Sequence, residues 1–178
     1  MLDVAVAYNR YKFIGEEFLT WFWFVIDTHH GMFATIDNDF NSLEIGNRIV
    51  LENRKKESVE RITIKGDDAS LEEGVLALKK GALVTELNIA YQSNNQQWKC
   101  TIKGESLNLS SLSTPSVRLP QSPEELEGFV LEKAYLYDKI IRIFDKIYEN
   151  YINLRISDRW QKTELPLIKK WINSKSNL

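Results

Sequence analysis

The sequence predicts an α+β fold: a mostly antiparallel sheet packed on an aromatic helix and a short capped helix, with a long C-terminal helix. Three observations predict it. The stretch Phe18-Leu-Thr-Trp-Phe-Trp-Phe-Val-Ile26 is apolar at eight of nine positions and holds two of the five tryptophans. A helix apolar on every side has to be covered on most sides, and nine residues are far short of the roughly twenty that span a bilayer. Short apolar–polar alternations separated by turn residues then run from Glu44 to Leu109, the pattern of half-buried strands. Finally, apolar residues from Leu126 to Tyr151 recur in steps of four and three, one face of a helix.

Each element follows in chain order. Tyr8, Tyr11 and Phe13 lead into a helix from about Gly15 to His30. Glu16 and Glu17 suit its positive first turn, and Gly31 suits the left-handed position that stops a helix. Met32 to Ile36 reads as a short strand ending at Asp37-Asn-Asp39. Glu44–Glu52 and Glu60–Lys65 read as strands joined by a charged hairpin loop, Asn53 to Glu57. Ser70-Leu-Glu-Glu73 is a capping box; its helix turns Val75, Leu76 and Leu78 inward and ends at Lys79-Lys80-Gly81. A meander of strands follows over 83–92, 97–103 and 105–109, with Asn94-Asn95 and Gly104 at its turns. Ser122-Pro-Glu124 opens the long helix, and a last helix covers about Thr163 to Lys175 with Pro166 in its first turn. The domain organisation is an α+β core over 1–113, a Ser/Pro linker over 114–122, and a helical segment over 123–178 that packs on the core or on a second subunit.

Composition narrows the function. The 178 residues carry 23 Lys and Arg against 25 Asp and Glu, a formal net charge of -2, so any nucleic-acid surface has to be a local basic face. No secretory signal or membrane span is expected, and the lone Cys100 suits a reducing cytoplasm. In its alternating strand Cys100 reads as a buried core thiol rather than a nucleophile. His29 and His30 are the only histidines, and neighbours on a helix point about 100° apart, so the pair does not grip one metal. Glu16-Glu17 and Asp67-Asp68 are explained by helix capping, and the Asp/Glu-x-Lys tripeptide of the common metal-dependent nuclease core is absent from the sequence. No phosphate-cradling loop is signalled. The expectation is a protein without catalytic residues, metal or cofactor. The helical aromatics read as core or interface; Trp98-Lys99 is the one hint of a base-stacking platform.

Two segments carry a resemblance. Lys65-Gly-Asp-Asp-Ala-Ser-Leu-Glu-Glu73 and Gly81-Ala-Leu-Val-Thr-Glu-Leu-Asn-Ile-Ala-Tyr91 flank a short helix ending in glycine. In one ungapped register they resemble a K-x-Q-D-L-x-S-E-E segment and a V-V-T-K-L-A-L-x-W strand of the recombination-associated protein RdgC family. Phe18-Leu-Thr-Trp-Phe-Trp23 is similar to a Leu-Thr-x-Trp segment upstream in that family. The resemblance covers roughly residues 15–154 and corresponds to the C-terminal half of a family member. It implies a homodimer that holds duplex DNA without sequence preference, associates with the nucleoid and antagonises RecA filament formation. Where the family has a basic–polar pair, this sequence has Gly66-Asp67.

The expected function is therefore a non-enzymatic, RdgC-like protein on duplex DNA. The alternative is a protein-interaction module that keeps the fold without the DNA surface. Arg61, Lys65, Lys79 and Lys80 are the candidate DNA contacts, since Arg61 and Thr63 alternate with the core-facing Ile62 and Ile64. The long stripe exceeds what one small sheet covers, which makes Tyr137, Ile141, Phe144, Tyr148 and Tyr151 the candidate dimer interface.

Overall fold

The computed structural model describes residues 11–54, 58–66 and 72–174. It is an α+β fold, one antiparallel sheet whose helices, among the described residues, pack on one face. A π-helical turn (Phe13–Glu17) runs into α1 (Phe18–Thr28), followed by the single-turn α2 (Gly31–Ala34). Strands β1 (Phe40–Arg54) and β2 (Val59–Lys65) precede α3 (Glu72–Lys79). Strands β3 (Leu83–Ser93), β4 (Gln96–Lys103) and β5 (Leu109–Ser113) complete the sheet in the order β2-β1-β3-β4-β5. The long α4 (Leu126–Arg155) and α5 (Leu165–Ser174) close the chain. Among the described residues, no helix is long and apolar enough to cross a membrane.

Helix α1 is covered all round: every residue from Phe18 to Ile26 is buried. The sheet covers one side with Leu43, Ile49, Leu51, Val84, Leu87 and Ile89, all in the same core. Helix α4 covers another, with Phe18 against Tyr148 at 5.0 Å and Phe22 against Phe144 at 5.9 Å between ring centroids. Helix α5 covers a third, where Trp171 meets Trp23 and Phe24 edge-on. These offset and edge-on geometries add to the area term for each ring. Polar pins fix the seating. Thr20 Oγ1 donates to the Glu16 carbonyl at 2.8 Å and accepts from the Val84 amide at 3.1 Å, tying the helix to β3. At Gly15 the helix start crosses the end of β4 so closely that a Cβ would lie 1.8 Å from the Gly104 carbonyl oxygen. Only glycine fits there.

Several expectations change. Met32–Ile36 is not a strand: the chain turns helically over Gly31–Ala34, because Phe33 has to enter the core between Phe22 and Phe40. Gly31 opens that turn; α1 has already ended at Thr28. Leu76 is 53% exposed, and Ala77 takes the inward place beside Val75 and Leu78. Strand β5 begins at Leu109 rather than near Glu105, since β4 ends under Gly15 and a turn with Leu107 at φ 53 intervenes. Asn53 and Arg54 extend β1. The rest of the charged loop, Asp67-Asp68 and the Ser70 side of the capping box lie outside the described residues. Asn94 and Asn95 do make the tight turn, at φ 49 and 59, and Gly81 stops α3 at φ +88.

A polar latch joins α4 to the end of the sheet. Lys139 Nζ donates to Ser93 Oγ at 2.8 Å and lies 3.7 Å from Asp37 Oδ2, which accepts a hydrogen bond from the Tyr91 hydroxyl. The Trp98 indole N–H donates to the Leu136 carbonyl at 3.0 Å. Burial works against the Asp37 carboxylate, but hydrogen bonds from Tyr91, Ser93 and the Asp39 amide, with the Lys139 charge, hold its pKa below the usual value. Burial and the same carboxylate push Tyr91 upward.

Two outcomes are expected. Trp21→Ala and Phe22→Ala should each cost about 3–5 kcal/mol in denaturant unfolding; an unchanged midpoint in either would place α1 at the periphery. A carboxylate with a lowered folded-state pKa contributes stability that is present above its unfolded value and lost as pH falls. Asp37→Asn should therefore destabilise most at neutral pH. Its difference from wild type should shrink as pH drops through and below about 3.9, read from thermal unfolding across a pH series.

Candidate nucleic-acid interface

Strand alternation sorts the sheet into two chemically different faces. Ile49, Leu51, Ile62, Ile64, Leu87, Ile89, Cys100 and Ile102 face the helices. The opposite face carries no helix among the described residues. Residues directly opposed across a ladder share a face, so its membership follows from the register. Arg48 opposes Lys65, Glu52 opposes Arg61, and Val50 opposes both Thr63 and Glu86. Glu86 opposes Lys103, and Ala90 opposes Lys99 and Glu44.

Six cations (Arg48, Arg54, Arg61, Lys65, Lys99, Lys103) therefore share this face with three carboxylates (Glu44, Glu52, Glu86), a surplus of three. The rest of the chain carries the compensating acid. Between the charges stand small polar groups, Thr63, Asn88, Thr101 and Gln92. Asn88 Nδ2 bonds Thr101 Oγ1 at 2.9 Å and the Cys100 carbonyl at 3.1 Å. Its amide lies over Gly46, where a Cβ would sit 1.9 Å from Asn88 Oδ1. Gly46 falls within one of the register shifts between β1 and β3, irregularities that bend a strand and deepen its twist.

The cations are not equivalent. Arg61 Nη2 is 2.9 Å from Glu86 Oε1 and its Nε is 4.0 Å from Glu52 Oε1. Arg48 Nη2 is 3.0 Å from Glu86 Oε2. Arg54 reaches Glu52 at 3.0 Å and, round the sheet end, Glu16 at 3.3 Å. Surface pairs of this kind are worth at most about 1 kcal/mol each; their effect here is to orient guanidinium groups and cancel their charge. Lys65, Lys99 and Lys103 are exposed and have no carboxylate partner among the described residues.

The four basic residues predicted from the sequence divide accordingly. Arg61 and Lys65 lie on the open face. Lys79 and Lys80 belong to the end of α3, which packs on the other face, and the Lys80 carbonyl accepts the Asn53 side-chain amide at 3.1 Å. Sequence reading missed Lys103 and gave Lys99 only as a neighbour of Trp98. Alternation around Cys100 and Ile102 sets both outward, but only the pairing of β4 with β3 brings them onto the same face as Arg61 and Lys65.

The predicted interface residues on α4 divide too. Tyr151 and Phe144 are buried within the chain, at 0% and 8% exposure, and Tyr148 packs on Phe18. They belong to the cover of α1. Tyr137 and Ile141 are 44% and 46% exposed, in line with Leu126 and Val130. Trp98 is fully buried and held by Leu136, so it offers no base-stacking surface.

Other chemistry reads as structural. Burial pushes the Cys100 thiol up to about 12, far from a thiolate at neutral pH. Lys139 and Ser93 have the spacing of a Ser–Lys pair, but Ser93 is 0% exposed and no substrate reaches its hydroxyl. Among the described residues, no group of three or more His, Cys, Asp or Glu could hold a metal ion. No protein-family model matches the chain, and no curated protein or solved structure matches it.

Proposed function

We propose that this chain associates with duplex DNA without base readout, through the open face of its sheet, and that it modulates RecA-dependent recombination at the nucleoid. The observation that carries the reading is the cation surplus on a face that no helix covers among the described residues, in a chain with net charge -2. The resemblance of residues 15–154 to the RdgC family supports the same reading. Lysine ammonium groups on strands, with threonine and asparagine between them, suit phosphate oxygens. They do not provide the paired donors and acceptors that read base edges in a groove. Binding of this type is driven by released counterions and falls with salt.

The second reading, a protein-interaction module, has its own observation. The outer half of α4 exposes Leu126, Val130, Leu131, Tyr135, Tyr137 and Ile141. Its lower end opens on a groove of about 440 Å³ between Tyr137, Ile141 and the leucines of β5 and its turn. A second copy is the occupant that fits. Glu124, Glu125 and Glu127 crowd one end of this stripe; at the other, Arg142 is held by Asp138 at 2.6 Å and Asp145 stands beside Lys146. Antiparallel pairing of two copies sets Leu126 beside Ile141 and Val130 beside Tyr137, so that each copy's exposed stripe covers the other's. A homodimer of this form leaves the sheet face free.

Duplex-DNA affinity measured across a salt series tests the first reading. Lys65→Gln, Lys99→Gln and Lys103→Gln together should reduce the salt slope by up to about 2.7, near 0.9 for each phosphate no longer neutralised. Folding should be unchanged, since exposed charges contribute little to it. Lys79→Gln with Lys80→Gln should leave the slope as it was. Absence of duplex binding at low salt would transfer the function to the interaction reading. For the dimer, Tyr137→Glu with Ile141→Glu should convert a two-copy species to one copy in light scattering at about 10–100 μM, the range where a μM interface is populated. A monomeric wild type under those conditions rules the dimer out.

A further inference from the structure

A second site lies on the helical side of the molecule. A cavity of about 320 Å³ opens between α1, the turn from α3 to β3, and α5. Its size falls in the range of small-molecule sites. The walls are apolar: Trp21, Leu78, Trp160 and Ile168 line it, and all four are at most 6% exposed. Polar groups along the walls are already satisfied. Thr20 Oγ1 holds the Glu16 carbonyl and the Val84 amide, and the Trp21 indole N–H donates to Glu164 Oε1 at 3.0 Å.

Charge at the mouth is unbalanced. Glu17 lines the cavity, but its carboxylate is taken by Arg155 Nε at 2.6 Å. Lys12 and Lys169 also line it, and neither has a carboxylate partner among the described residues. Lys12 buries part of its stem along the wall and Lys169 is exposed, the usual placement of a lysine whose apolar stem covers a surface and whose ammonium stays in water. Counting Lys12, Lys169 and Arg155 against Glu17 and Glu164 leaves one positive charge. An apolar slot with a single surplus cation at its mouth is complementary to a monoanion carrying an aliphatic tail.

We propose that this cavity binds a medium-chain aliphatic carboxylate. Its alkyl chain lies between Trp21, Trp160 and Ile168, and its head group meets Lys12 and Lys169. The site is independent of the sheet face. A dianionic head would exceed the local charge, and a cationic one would meet both lysines unscreened.

Decanoate, kept below its micelle concentration, is the probe. Isothermal titration calorimetry should give saturable binding, with a change in tryptophan emission from Trp21 and Trp160. The uncharged 1-decanol should bind at least about tenfold more weakly, as the loss of one charge-assisted hydrogen bond requires. Decyltrimethylammonium should not bind. Lys12→Gln with Lys169→Gln should lower decanoate affinity to that of decanol and leave decanol unchanged. Ile172→Trp, which adds bulk at the rim, should abolish binding of both with an unchanged circular dichroism spectrum. If that variant does not fold, the lysine pair decides.

Equal affinity for decanoate and decanol, or decanoate binding that survives loss of both lysines, overturns the proposal. So does binding to phosphatidylglycerol vesicles without binding to free decanoate, which would make the lysine-rimmed mouth a lipid-surface contact.

Discussion

A helix with nine consecutive buried residues has no solvent side, and the rest of this fold is arranged to supply its cover. The sheet takes one flank of α1, the inner half of α4 a second, and α5 a third. Aromatic rings join these flanks, since Phe18, Trp21 and Phe22 each meet rings from α4. Close packing at the Gly15–Gly104 crossing sets how far the helix can slide along β4. Its end has to stop there, which also sets where β4 ends and where β5 can begin.

Covering α1 uses one face of the sheet and, among the described residues, leaves the other without a helix. Period-two alternation then has a consequence for charge. Once Ile62 and Ile64 are committed inward, Arg61, Thr63 and Lys65 are committed outward, and the same holds for Lys99 and Lys103 around Cys100 and Ile102. A basic face arises although the chain as a whole is slightly acidic. Glu86 and Glu52 between them hold all three arginines of that face and leave the lysines. For a phosphate backbone read without sequence, mobile ammonium charges are sufficient, and arginines held in place by carboxylates are poorer donors. The asymmetry between the two faces supports reading the open side as the functional one.

The latch around Asp37 explains how α4 can be both core and surface. From Leu136 to Tyr151 its inner side is buried, anchored by Lys139 to Ser93 and by the Leu136 carbonyl to Trp98. Before Leu136, Leu126, Val130, Leu131 and Tyr135 stay exposed, while Lys133 ties the helix to Thr114 and the Pro115 carbonyl. Thirty residues at about 1.5 Å each give a rod of roughly 45 Å, of which only the stretch from Leu136 carries buried apolar residues.

The sequence by itself determined the α+β class, the buried aromatic helix, the hairpin turn at Asn94-Asn95 and the stop at Gly81. Each is written in a local signal: apolar density, alternation, or a residue type that tolerates positive φ. It also determined which side of β2 would carry charge, because alternation within one strand needs no partner. Tertiary structure decided the rest. Phe33 became helical because the core needed its ring, which overrides a weak local preference. Tyr151 and Phe144 went inward while Tyr137 and Ile141 stayed out, although all four belong to one periodic stripe. Periodicity defines a face of a helix but not how much of its length is covered. The grouping of Lys65 with Lys99 and Lys103, and the separation of Lys79 and Lys80 from them, depends on strand order. Strand order is set by which non-local pairs close around α1, and no window of sequence records it.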